Sequence, residues 1–139
     1  MTVLENKYDI KRDQLFVSSK GGYIPENAEE LISQREMIEK MISEVGVPED
    51  SIVKESGHCL DPKFLEYQLD ESLKRLNLEC LDVYYLHNPY EAQGPYNTDN
   101  VFNDRLTKAF EFLEEAVQKG KIRDYGIASY SSFRVKPSE

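Results

Sequence analysis

Three short apolar runs, spaced apart by long amphipathic stretches, restrict the fold of this sequence more than any other feature. Leu15-Phe16-Val17-Ser18-Ser19-Lys20 is closed by Gly21-Gly22, and Leu81-Asp82-Val83-Tyr84-Tyr85-Leu86 leads into His87-Asn88-Pro89. Pro89 has no amide hydrogen and restrains the residue before it, so the second run must stop there. The third run spans 122–128 and follows Gly120. Each reads as a buried strand bounded by breakers. The stretch from 28 to 45 returns Leu31, Ile38, Met41, Ile42 and Val45 at helical spacing and stops at Gly46. A better marked helix follows: Asp61 can cap it, Pro62 suits its first position, and Leu65, Leu69, Leu73 and Leu76 form one stripe up to Asn77. A third helix, from about 103 to 119, carries Leu106, Ala109, Phe110, Leu113, Ala116 and Val117 on one face. Between Tyr90 and Asn100 there is no periodicity, and Gly94, Pro95, Asn97 and Asp99 predict an exposed loop long enough to be a functional flap. Strands alternating with helices predict parallel pairing through helical crossovers, in an α/β sheet or barrel.

At 139 residues with 40% hydrophobic content, the chain is expected to form one domain over its whole length. A net charge of -9 opposes binding to a polyphosphate backbone, so nucleic acid is not an expected partner. No run approaches the ~20 apolar residues of a spanning helix, and the first residues lack a signal-peptide layout. A soluble cytoplasmic protein is therefore expected. Cys59 and Cys80 form no CxxC pair and read as two reduced, partly buried thiols.

In parallel α/β folds ligands bind at the carboxyl ends of the strands. Lys20 closes the first strand, His87 and Asn88 the second, and Ser129 follows the third, so parallel pairing would gather them on one rim. Lys20 could be a solvated strand-end lysine, or a cation that shifts a neighbouring phenol. His87 could be bonded to backbone, or could hold and polarise a substrate carbonyl. Asn88 is a candidate substrate-binding residue beside it. A zinc site built from His58, Cys59, Cys80 and His87 has the right chemistry but poor spacing, because Cys80 and His87 lie about 20 Å apart at ~3.3 Å per residue. No metal is expected. Gly21-Gly22 matches no phosphate-loop pattern, and Asp61, Asp70, Glu71 and Asp82 read as a cap, a helix surface and a strand start.

The segment Leu65-Glu66-Tyr67-Gln68-Leu69-Asp70-Glu71-Ser72-Leu73-Lys74-Arg75-Leu76, followed by Leu81 to Pro89, resembles the central signature of aldo-keto reductases. Upstream, Leu15 to Lys20 resembles the family's third barrel strand. Downstream, Lys119-Gly120-Lys121-Ile122-Arg123-Asp124-Tyr125-Gly126-Ile127 resembles the approach to its fifth. The resemblance covers roughly residues 13–134 and implies part of a (β/α)8 TIM barrel, with strands 3 to 5 present. The stretch from 28 to 55 is a longer connection than many members have.

The resemblance implies hydride transfer from NADP(H) to an aldehyde or ketone, with Lys20 and His87 at the positions of two catalytic residues. The family's aspartate and tyrosine lie farther upstream than the nineteen residues before Lys20, and Tyr8 is too close to serve. Ala128-Ser129 stands where the family commonly has Ser-Asn, leaving Ser129 as the cofactor-binding candidate. The family's later phosphate-binding parts would follow Glu139. A full barrel needs about 250 residues. Three expectations follow: that this polypeptide by itself is inactive, that it is alternatively a non-catalytic interaction protein or truncated isoform binding another chain or itself through an open half-barrel surface, or that Val135 to Glu139 marks an interruption of a longer reading frame.

Overall fold

The computed structural model of the chain describes residues 11–130, so Tyr8 and the segment 135–139 lie outside the described residues. In chain order the elements are β1 (Ser18–Gly21), α1 (Gln34–Lys40, running on as a π-helical turn Met41–Val45), β2 (Ile52–Val53), β3 (His58–Cys59), α2 (Pro62–Leu76), β4 (Leu81–His87), α3 (Pro89–Gln93), α4 (Asp99–Gln118) and β5 (Ile122–Ala128). β1, β4 and β5 form one sheet in the order β1-β4-β5, with both pairings parallel. β2 and β3 form a separate antiparallel hairpin. Among the described residues no helix is long and apolar enough to cross a membrane.

The principal core lies on one side of this sheet. Leu65 and Leu69 of α2 and Ala109, Leu113 and Ala116 of α4 pack with Leu81, Tyr84 and Leu86 of β4 and Ile122 of β5. α2 sits where the sequence predicts it, for the predicted reasons. The Asp61 carboxylate accepts the amide of Lys63 at 2.9 Å, Pro62 occupies the first turn, and Asn77 ends the helix at φ 54°, ψ 47°. A second cluster gathers Ile24, Met37, Ile38, Met41, Val47, Ile52, Cys59 and Phe64 beneath α1.

Four boundaries differ from the sequence expectation. β1 starts at Ser18, not Leu15, because Arg12–Gln14 form a 3-10 turn and the chain pairs with β4 only from Ser18. The first helix starts at Gln34, not 28. Ser33 and Glu36 form a reciprocal capping box there, while Leu31 is 89% exposed with φ 55°, outside helical geometry. The segment from Tyr90 to Asn100 is not an open loop. Pro89 starts α3, Gly94–Tyr96 add a 3-10 turn, and Thr98 caps α4 by accepting the amide of Val101 at 3.3 Å. Gln93, inside that segment, is fully buried. Finally, the β2-β3 hairpin has two-residue strands, too short for any periodicity to show.

Candidate functional site

Residues directly paired across parallel strands project to the same face of a sheet. Lys20 pairs with Tyr85, and Tyr85 with Gly126; one pleat further on, His87 pairs with Ala128. Lys20, Tyr85 and His87 therefore share the face opposite the core, while Tyr84 and Leu86 point into the core. Lys20 is exposed and His87 half-buried, both at the carboxyl ends of adjacent strands. Sequence pattern places them on this rim, and the register joins them on one face. Tyr84 cannot serve here: it lies on the closed face, where burial pushes its phenol well above the usual range. Tyr85 is the phenol beside Lys20, and its ring rests over Gly126, where an added Cβ would meet it at 3.4 Å.

The chain leaves β4 through Asn88, held at φ 44°, ψ 51°, a left-handed conformation that asparagine tolerates well. Its Nδ2 lies 3.2 Å from His87 Nε2. An amide nitrogen only donates, so this contact makes Nε2 an acceptor and leaves the proton of the neutral ring on Nδ1. Asn88, expected to meet substrate, thus faces His87 itself. Ser129 donates its hydroxyl proton to Glu91 Oε1 of α3 at 2.5 Å, which ties the end of β5 to the helix that follows β4.

Beneath the rim sits His58, considered in the sequence only as a metal ligand. It is 2% exposed, its Nε2 donates to the carbonyl oxygen of His87 at 2.8 Å, and its Nδ1 accepts from Gln93 Nε2 at 3.0 Å. Burial, as the largest cause, lowers its pKa from 6.5 to about 4, with the bond to His87 opposing and the nearby His87 imidazole adding to the effect. Both ring nitrogens are used within the protein. Cys59 beside it is buried, which raises its thiol. Among the described residues no group of three or more His, Cys, Asp or Glu is placed to hold a metal ion.

The opposite end of the sheet is a structural staple. Asp82 takes Arg12 at 3.1 Å and Arg123 at 3.3 Å, and its Oδ2 accepts the amide of Val17 at 2.7 Å. The Val17 amide first, then Arg12, holds its carboxyl below the usual range against the opposing effect of burial.

The sequence model of the aldo/keto reductase family matches residues 3–136. The chain belongs to this family. The glycerol 2-dehydrogenase (NADP(+)) of Saccharomyces cerevisiae is 26% identical over 134 residues, covering 84% of this chain and 43% of its own length. The aldo-keto reductase yakc of Schizosaccharomyces pombe, whose name carries NADP(+), is 32% identical over 76 residues, 55% of this chain and 19% of its own. Among solved structures, the holo form of an aldo-keto reductase from Bacillus halodurans aligns with a TM-score of 0.54 at 21% identity, over 91% of this chain and 30% of its own. The aldose reductase of Schistosoma japonicum aligns at 0.51 and 16% identity, over 91% of this chain and 33% of its own. The chain thus spans less than half the length of these aldo-keto reductases, and its three parallel strands are part of a (β/α)8 barrel.

Within those strands Lys20 is the only cation at a carboxyl end, whereas Arg123 lies at the other end with Asp82. Among the described strand residues there is no pair of cations on that rim to take the phosphates of a nicotinamide cofactor.

Proposed function

We propose that this aldo-keto reductase chain carries the carbonyl-orienting part of a site that reduces small aldehydes or ketones with NADP(H). The observation that carries the reading is the placement of Lys20 and His87 on one open face, at the carboxyl ends of neighbouring parallel strands. When bound, NADPH supplies hydride. The chain's own groups position the substrate: His87 orients the carbonyl oxygen through a ring N–H, Asn88 holds the imidazole, and Ser129, just past β5, stands toward the carboxamide of the nicotinamide. Lys20 contributes positive charge beside any phenol brought to this face. Tyr85 lies one pleat deeper than His87, about 6–7 Å along the strand, and so is out of reach of an oxygen held at His87. Tyr85 is therefore not the proton donor of this reading, and general acid catalysis is worth about 10² to 10⁴-fold.

The 139-residue polypeptide by itself is expected to bind a simple aldehyde weakly and saturably, seen as movement of the His87 ring resonances in NMR, without consuming NADPH. Reduction of the aldehyde by this polypeptide, lost in His87→Ala, would overturn the inactive half of the reading. Resonances that drift linearly without saturating would sink the other half. A second reading, a non-catalytic chain that binds a partner through its sheet, is favoured by one observation: β1 and β5 each pair with β4 alone among the described residues.

A further inference from the structure

We propose that His58 is a positioning residue that ties the carboxyl ends of β1 and β4 together and so sets the orientation of His87 beside Lys20. The inference rests on the reading of Lys20 and His87 as site residues. His58 belongs to β3, outside the main sheet, and its ring touches the residue that follows β1 and the last residue of β4. On the β1 side it packs against Gly22, two residues past Lys20. A Cβ there would lie 2.6 Å from His58 Nε2 and 2.9 Å from Cε1, so only a glycine leaves room, and its φ of 116° is one that L side chains rarely adopt. The Gly22 carbonyl also accepts the amide of Cys59 at 2.8 Å, which fixes β3 against this turn. On the β4 side, Nε2 donates to the carbonyl of His87 itself.

The proton positions along this arrangement follow from chemistry. A carbonyl only accepts, so Nε2 must carry hydrogen; a neutral imidazole then has a bare Nδ1, and that must be met by a donor. Gln93 supplies one only if its amide nitrogen faces His58. That orientation is imposed by Arg105, which has no acceptor atoms and donates from Nη1 to Gln93 Oε1 at 2.9 Å. Arg105 is itself anchored by its bond to the carbonyl of Asp50 at 2.7 Å. The donors therefore all run one way, from Arg105 through Gln93 and His58 to the His87 carbonyl. Around the ring the charged and titratable neighbours are Glu91, which favours protonation, and His87, which opposes it. A histidine serving only to fill the core would not need its tautomer fixed from α4, forty-seven residues away.

The chain has two histidines, so a selectively labelled sample of the full 139-residue polypeptide gives two imidazole spin systems. His58 is expected as the Nε2–H tautomer, unchanged between about pH 5 and 8. In His58→Gln, whose side-chain nitrogen reaches the same carbonyl, the His87 ring resonances should match wild type. In His58→Phe the His87 ring resonances should move, because the donor to its carbonyl is gone. Gln93→Glu tests the same wiring without emptying the site: the new carboxylate accepts from Nδ1, so His58 should take a second proton and titrate above its wild-type range while keeping its bond to His87. An Nδ1–H tautomer in wild type, ordinary titration of His58 near pH 6.5, or identical His87 ring resonances in wild type and a folded His58→Phe would each overturn the proposal. Should His58→Phe fail to fold, the tautomer and the Gln93→Glu shift decide it. None of these readouts uses aldehyde or NADPH, so loss of the aldehyde response with these histidine signatures intact would count against the proposed function and not against His58.

Discussion

The two faces of the three-stranded sheet are built from alternate residues of the same strands, yet they answer to different demands. On one face Tyr84 and Leu86 are fully buried beneath α2 and α4 with Leu69 and Leu113. On the other, Val83, Tyr85 and His87 of the same β4 are half-exposed, next to an exposed Lys20. Removal of apolar area from water stabilises the first face. Among the described residues little on the second depends on packing, which leaves its side chains available for chemistry. Moving one residue along β4 changes which demand applies.

The contrast breaks most sharply by hollowing the closed face. Leu113→Ala is expected to cost about 2–5 kcal/mol of unfolding free energy in urea melts, from lost burial and the cavity left behind. Acid tests the hydrogen bonds that His58 makes at the carboxyl end of β4. An unfolded histidine protonates near 6.5, whereas folded His58 resists until about 4, so between these values the unfolded state holds the extra proton. Stability from this group is therefore complete above pH 6.5 and is lost as pH falls to 4, by about 3 kcal/mol. The lowered carboxyls of Glu49 and Asp82 lose stability in the same direction at lower pH, so the measurement is the difference in pH dependence between wild type and His58→Gln.

Gly22→Ala sets a Cβ against the His58 ring at a strained φ and should cost about 1–3 kcal/mol by thermal melting. Lys20→Ala, on the open face, should change stability by no more than about 0.5 kcal/mol. A larger loss there would mean that the open face supports the fold after all.

The sequence shows most clearly where local rules and burial agree. α2 carries its cap, its first-turn proline, its leucine stripe and its left-handed terminator within seventeen residues, so its ends can be read directly. Gly46 stops the first helix as expected, at φ 81°. The start of that helix is hidden because Leu31 fits a helical stripe, while Ser33 and Glu36 carry the capping signal. The segment from Tyr90 to Asn100 looks like a loop because its short helical turns bury Gln93 and Pro89, a polar residue and a breaker, which no hydrophobic period marks.

For the candidate site, strand ends mark Lys20, His87, Asn88 and Ser129 in the sequence. The role of His58 is not marked there, since its partners lie 29 and 35 residues away and come together only through tertiary packing. Tyr85 was hidden differently. In a strand reading it is another aromatic of an apolar run, and only the parallel register puts it beside Lys20.

The left-handed backbone at Asn88 bears on how any mutational scan of this rim must be interpreted. The position does two jobs at once: it turns the chain out of β4 and it presents an amide to His87. Alanine removes both, because it lacks the amide and resists the turn. Glycine removes only the amide. A functional loss seen with alanine and spared by glycine belongs to the shape of the main chain, whereas a loss common to both belongs to the side chain.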